Sequence, residues 1–161
     1  MFVGIDLVEI PRIADAIKNP RFVSRVYSLK EQIIAGSISS LKRQAEFYAG
    51  RFAVKEAAYK AICAMHQQLV IPADTKEFIP RLPTLILGEI ETLKNDEGLP
   101  NLYFLGQTAL NLALLSPIQA QVSLSHTSNL ATAIVLLESA LNDSGNPGKK
   151  QPQNDTEKDI G

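Results

Sequence analysis

The chain has 161 residues, 45% apolar and 20% charged, with a formal net charge of −1; this is the make-up of one globular domain, not of a disordered or strongly basic chain. No apolar run approaches the roughly eighteen residues of a membrane span, and Met1 to Ile10 lacks the basic leader of a signal peptide, so a cytoplasmic protein off the membrane is expected. The charge is uneven, with ten Lys/Arg against six Asp/Glu in residues 1–60 and three against seven in residues 61–141, so the first part should face an acidic partner or a phosphate-rich ligand rather than nucleic acid.

Residues 2–8, Phe-Val-Gly-Ile-Asp-Leu-Val, predict a strand with one carboxylate, Asp6. A desolvated carboxylate is costly unless paired or ligated, so Asp6 either binds a cation or caps the helix expected from Pro11 to about Lys18. Ser28 with Glu31 forms a capping-box pattern opening a second helix that stops near Gly36. From Leu41 to Met65 there is no Pro and a single Gly, which predicts a long helix. Its one cysteine, Cys63, reads as a small core side chain, and His66, at the expected fraying end, carries no function.

Beyond residue 70 the texture turns Pro-punctuated and β-rich. Strands are expected at 78–79, 84–90 and 101–104, the last after the turn signal Asp96-Glu97-Gly98. A helix at 106–115 should end at Pro117, and strands at 119–125 and 131–138 flank the polar turn His126-Thr127-Ser128-Asn129. This order does not alternate as a doubly wound fold would, so the class is α+β, with the long helix packed on a mainly antiparallel sheet. Residues 1–141 read as one domain and 142–161 as a disordered tail.

Gly50-Arg51-Phe52-Ala53-Val54-Lys55-Glu56-Ala57-Ala58-Tyr59-Lys60 places one acid among three bases within three helical turns. Phe52, Glu56 and Lys60 share one row and Arg51, Lys55 and Tyr59 the next. In isolation such a segment is a solvated helix with a Glu/Lys pair. If the helix crosses the first strand, Glu56 comes near Asp6, and two carboxylates flanked by bases suit Mg²⁺ with phosphate chemistry. Arg51, Lys55 and Lys60 would then balance phosphate charge. A second group, Ser123-Leu124-Ser125-His126-Thr127, puts both serines on one strand face and His126 and Thr127 at the strand end; without a nucleophile elbow it is not a serine hydrolase.

The series Gly4-Ile5-Asp6-Leu7-Val8-Glu9-Ile10, Arg12-Ile13, Arg21-Phe22, Arg25, Glu31, Ala49 to Ala57 with Lys60, and Ser123 to Thr127 resembles bacterial holo-acyl-carrier-protein synthases, a branch of the 4′-phosphopantetheinyl transferases, over residues 2–138. The resemblance implies transfer of phosphopantetheine from coenzyme A to a serine of apo acyl carrier protein, in fatty acid biosynthesis. It implies Mg²⁺, or Mn²⁺ in its place, on Asp6 and Glu56, with Glu56 and Lys60 catalytic. Arg51, Lys55, Lys60, His126 and Thr127 would hold coenzyme A, Arg12, Arg21, Phe22 and Arg25 would dock the carrier, and the chain would form a homotrimer with sites at subunit boundaries. Two departures stand out: the family's glycines after the long helix are absent from Ile62 to Pro72, and Gly98-Leu99-Pro100 lacks the family's central base. The rival reading is a non-catalytic module that holds an acidic protein or a nucleotide on its basic helices and needs no metal at Asp6.

Overall fold

The structure is a computed structural model, described over residues 1–70, 84–114 and 118–139; the strand expected at 78–79, Pro117 and the tail at 142–161 lie outside the described residues. The elements run β1 (Phe2–Glu9), α1 (Ile10–Ala16), α2 (Pro20–Val26), α3 (Leu29–Gly36), α4 (Leu41–Val70), β2 (Ile90–Lys94), β3 (Pro100–Phe104), α5 (Gly106–Ala113), β4 (Ile118–His126) and β5 (Leu130–Ser139). Strands β1, β5 and β4 form a sheet in that order, β2 pairs with β3, and every pairing is antiparallel. The class is α+β, with the long helix laid across the three-stranded sheet.

Alternation decides which face the helix covers. Phe2, Val8, Ala131, Ala133, Val135 and Leu137 point inward and are buried, while Val3, Ile5 and Leu7 point outward and stay more than half exposed. On α4 the four-residue spacing of Ala49, Ala53, Ala57 and Ala61, all fully buried, makes a flat stripe of small side chains. That stripe lets β1 come so close that a Cβ on Gly4 would lie 1.8 Å from the Ala57 carbonyl oxygen. At the other end of the crossing, Gly50 faces the Leu124 side chain of β4. The helix therefore passes from the β4 edge of the sheet to the β1 edge as it proceeds.

Helices α2 and α3 pack on the far side of α4. The Tyr27 hydroxyl donates to the Tyr48 carbonyl at 3.2 Å, and Phe22 stacks on Phe52 with ring centroids 6.2 Å apart. Ser28 and Glu31 form the capping box expected of them. Helix α2 was not foreseen, because Pro20 reads as a terminator; in the fold Asn19 accepts from the Arg21 amide and Pro20 occupies the first turn, where its missing N–H is harmless. The strand expected at 84–90 is displaced: Leu87–Glu89 form a 3₁₀ turn and pairing begins at Ile90. Glu89 is diverted to cap α5, accepting from the Gln107 and Thr108 amides at 3.2 and 2.7 Å. Helix α4 also runs past Met65, so His66 is buried rather than frayed.

Gly4 is the closest approach between sheet and helix. Gly4→Ala is expected to lower stability by about 3 kcal/mol, the upper range for forced overpacking, since the obstructing atoms are backbone. Urea unfolding measures it, and a parental midpoint would show that β1 can move off α4 at no cost.

Candidate active site

The crossing brings Asp6 and Lys60 together. Asp6 is the inward residue of β1 two positions beyond Gly4, and the Lys60 ammonium donates to its Oδ1 at 2.9 Å and to the Ile5 carbonyl at 3.0 Å. Asp6 does not cap α1, whose N-cap residue is Glu9, with no side-chain cap bond. Glu56, one turn before Lys60 and half-buried, has its carboxyl pushed above the ordinary carboxylate range, first by burial and then by the negative charge of Asp6; Lys60 and Arg12 act in the opposite direction. Two like charges held this close under cations form a site that favours a hard divalent ion. Mg²⁺ takes one or two carboxylates and fills its remaining positions with water and substrate oxygens, so Asp6 and Glu56 fit it. No cluster of three or more Cys, His, Asp or Glu side chains that could hold a metal occurs among the described residues, so an ion on this pair would take most of its ligands from water and substrate.

A separate cleft of about 1060 Å³ lies at the β4 edge. Arg51 and Phe47 of α4, Lys30 and Ile33 of α3, Lys94 of β2 and His126 of β4 are among its walls. Arg51 is 8% exposed, its guanidinium carbon sits 3.8 Å from the Phe47 ring centroid, and its buried Nε has no hydrogen-bond partner among the described residues. Burial lowers its pKa against the opposing pull of Glu31. An arginine stacked on a ring in the wall of a cleft suits an anion. The sheet register relates the two features: Asp6 pairs with Ala133, which pairs with Leu124, and His126 lies two residues further along β4. Two strand spacings put Leu124 about 10 Å from Asp6.

The structure assembles the sequence-derived residues unevenly. Arg51 and His126 share the cleft, whereas Lys60 points to Asp6 at the opposite edge. Thr127 is exposed beside the cleft, with its hydroxyl oxygen accepting from the Asn129 and Leu130 amides at 3.3 and 3.2 Å. Lys55 departs from the expectation. It is fully buried, donating to Glu31 Oε2 at 2.8 Å, to the Leu87 carbonyl at 3.1 Å and to the Ile90 carbonyl, and so it faces away from both features. Arg21, Phe22 and Arg25 line a groove of about 680 Å³ with Ile86 and Leu87, while Arg12 is set apart from them and acts on Glu56. Lys30, Arg43 and Lys94 line the cleft and were not singled out in the sequence. Lys94 lies directly across the hairpin from Pro100, so a base is present in the corner where Leu99 brings none.

A family model described as the 4′-phosphopantetheinyl transferase superfamily matches residues 2–135. The chain belongs to this superfamily. It is 36% identical over 140 residues to a holo-[acyl-carrier-protein] synthase of Chloroflexus aurantiacus, covering 84% of this chain and 96% of that protein. It is 34% identical to the synthase of Bacillus pumilus, covering 84% and 93%. Among solved structures, an ACPS–CoA complex of Chronobacterium ammoniagenes superposes with a TM-score of 0.68 at 30% identity, covering 86% of this chain and 96% of that one. A holo-[acyl-carrier-protein] synthase of Helicobacter pylori in complex with coenzyme A gives a TM-score of 0.61 at 25% identity, covering 84% and 99%.

In this superfamily member the carboxylate pair leaves a thermodynamic signature. Because the Glu56 carboxyl holds its proton more tightly folded than unfolded, its stabilising contribution is complete below the ordinary carboxylate range and lost as pH rises through the raised folded value. With chelator present, Glu56→Gln is therefore expected to raise the urea midpoint at about pH 7 and to change it little near pH 4, below the usual glutamate value. A difference that does not grow across that window would show that the fold does not hold the Glu56 carboxyl above its unfolded value.

Proposed function

We propose that the chain is a Mg²⁺-dependent holo-[acyl-carrier-protein] synthase, with Mn²⁺ as an alternative metal. It transfers 4′-phosphopantetheine from coenzyme A to a serine of apo acyl carrier protein, serving fatty acid biosynthesis in the cytoplasm. The observation that carries the reading is the Asp6–Glu56 carboxylate pair beneath Lys60, in a chain of this superfamily. No helix among the described residues is long and apolar enough to cross a membrane.

The roles follow from position. Asp6 and Glu56 would hold the metal, which when bound supplies a Lewis acid at the pyrophosphate of coenzyme A. The serine hydroxyl of the carrier attacks the β-phosphorus in line, the bond to the bridging oxygen breaks, and adenosine 3′,5′-bisphosphate leaves. A Glu56 carboxylate oxygen, directly or through a water, would accept the serine proton. Lys60, half exposed and freed from Asp6 by the approaching phosphates, stabilises charge on the transferred group. Arg51 and His126 hold phosphate in the cleft, with Thr127 at its margin.

The carrier's acidic helix would meet Arg12, Arg21 and Arg25, with Phe22 at the groove they border. A homotrimer is supported by the outer sheet face, where Val3, Ile5, Leu7 and Ile134 are 53%, 59%, 63% and 42% exposed; a contiguous apolar face of this kind is a site of association. Association would also set the carboxylate edge of one copy against the cleft edge of another.

Incubation with coenzyme A, Mg²⁺ and apo acyl carrier protein is expected to add one phosphopantetheine to the carrier, read by mass spectrometry. Asp6→Asn should reduce kcat by at least about a thousandfold with the fold intact by circular dichroism, and near-parental turnover would refute the metal assignment. Arg21→Glu should raise the KM for carrier roughly tenfold and flatten its salt dependence, with the KM for coenzyme A unchanged. Ile5→Glu is expected to yield a species of smaller mass in sedimentation; an unchanged mass at micromolar concentration would remove the outer sheet face from the interface.

A further inference from the structure

We propose that Lys55, acting through Glu31, is a positioning residue of the coenzyme A cleft that fixes its far walls relative to Arg51; this rests on the cleft being the coenzyme A site. Three elements meet at the Lys55 ammonium. Glu31 belongs to the first turn of α3, Leu87 to the 3₁₀ turn, and Ile90 to the start of β2. Glu31 extends the connection: its Oε2 also accepts from the Ser28 amide at 3.0 Å and its Oε1 from the Thr92 amide at 3.0 Å. Ser28 in turn donates through its hydroxyl to Glu91 at 2.7 Å, and Lys30 of the cleft wall lies 3.8 Å from the same carboxylate.

The elements joined in this way are the walls of the cleft. Helix α3 supplies Lys30, Ile33 and Ile34, and the β2–β3 hairpin supplies Leu93, Lys94 and Gly98. Lys55 sits one helical turn beyond Arg51 on α4, so it anchors those walls to the helix that carries the anion-binding arginine. Both Lys55 and Glu31 are 0% exposed, and neither can reach a ligand without surrendering all its partners. Stability alone does not call for such a group, since an apolar pair of similar volume commonly packs as well as a buried ion pair. An apolar pair cannot hold two carbonyls and two amide groups at defined distances.

The test compares Glu31→Gln, Lys55→Met/Glu31→Gln and Arg51→Ala in steady-state kinetics with coenzyme A and apo acyl carrier protein. Removing both buried charges together should leave a folded protein while the KM for coenzyme A rises by roughly tenfold or more, kcat falls by less than about threefold, and the KM for carrier stays at the parental value. Glu31→Gln alone should also raise the KM for coenzyme A. The sign is diagnostic: if the pair touched the phosphates, removing an anion would lower that KM, and such a fall would overturn the proposal. A folded double variant with parental coenzyme A kinetics would overturn it as well. Should the double variant not fold, Glu31→Asp, which keeps the buried charges paired but shortens the tie, decides the matter: a raised KM for coenzyme A supports the proposal and a parental one overturns it. Arg51→Ala separates this question from the reading of the cleft, because an unchanged KM for coenzyme A in that variant would show that the ligand binds elsewhere, whatever Lys55 does.

Discussion

The close contact between β1 and α4 organises everything else in this molecule. A strand and a helix normally pack with side chains between them, about 10 Å apart for layered structures. Here Gly4 on one side and the stripe of Ala53, Ala57 and Ala61 on the other remove those side chains, so the strand backbone rests on the helix backbone. The reach of a lysine then suffices for Lys60 to contact both the Asp6 carboxylate and the Ile5 carbonyl. Glu56 is drawn into the same space and becomes a neighbour of like charge to Asp6. The carboxylate pair is thus a consequence of small residues whose own chemistry is inert.

The same helix distributes its cations by angle. Arg51 and Lys55 are four residues apart and occupy one row, yet one meets a cleft and the other a closed interior. The difference lies in what packs against each turn. At Arg51 the Phe47 ring shields the guanidinium while leaving it open to the cleft, whereas at Lys55 the capping carboxylate of α3 and two carbonyls close around the ammonium. Burial and three acceptors turn a surface-type residue into an internal tie. An arginine, with its planar and permanently charged head, suits the anion-facing position; the compact ammonium suits the convergence of three acceptors.

This contrast marks the limit of what the sequence discloses. Periodicity locates β1, α4 and the final strand pair, because each has one apolar face against one layer. The Ser28–Glu31 box is legible because its bonds are local, and so is the turn before β3. Helix α2 is obscured because Asn19-Pro20 suits a helix start as well as a helix end. The shift of β2 to Ile90 depends on Glu89 capping a helix seventeen residues further on, a partner outside any local window. Lys55 is ambiguous for the same reason: its row on the helix is plain, but its burial depends on Glu31, which is 24 residues away. The capping box itself was the available signal, since a glutamate fixed at a helix start and buried must find a cation. Asp6 is marked in the sequence because a charged residue inside an apolar strand demands a partner, and the crossing of β1 and α4 supplies one in Lys60. Lys30, Arg43 and Lys94 carry no local mark of the cleft they border, because each is an exposed cation near the end of a helix or strand.

Geometry also bears on assembly. Within one copy, α4 runs from the β4 edge to the β1 edge, and this direction places the Arg51 cleft at the first and the carboxylate pair at the second. A ligand engaging both in a single copy would have to cross the row Asp6, Ala133 and Leu124, whose helix-facing side is covered by α4 itself. The outer face of the same strands is free of that obstruction and carries exposed Val3, Ile5 and Leu7. Burying three such side chains against a second copy contributes roughly 1.5–3 kcal/mol each, enough to drive association when repeated at every contact of a closed ring. Such a ring would let the carboxylates of one subunit serve the cleft of its neighbour. The close packing of β1 on α4 brings the two carboxylates together and covers the direct path from them to the cleft, so in the proposed ring the constraint that pairs the carboxylates would also be what leaves the cleft of a neighbouring copy to serve them.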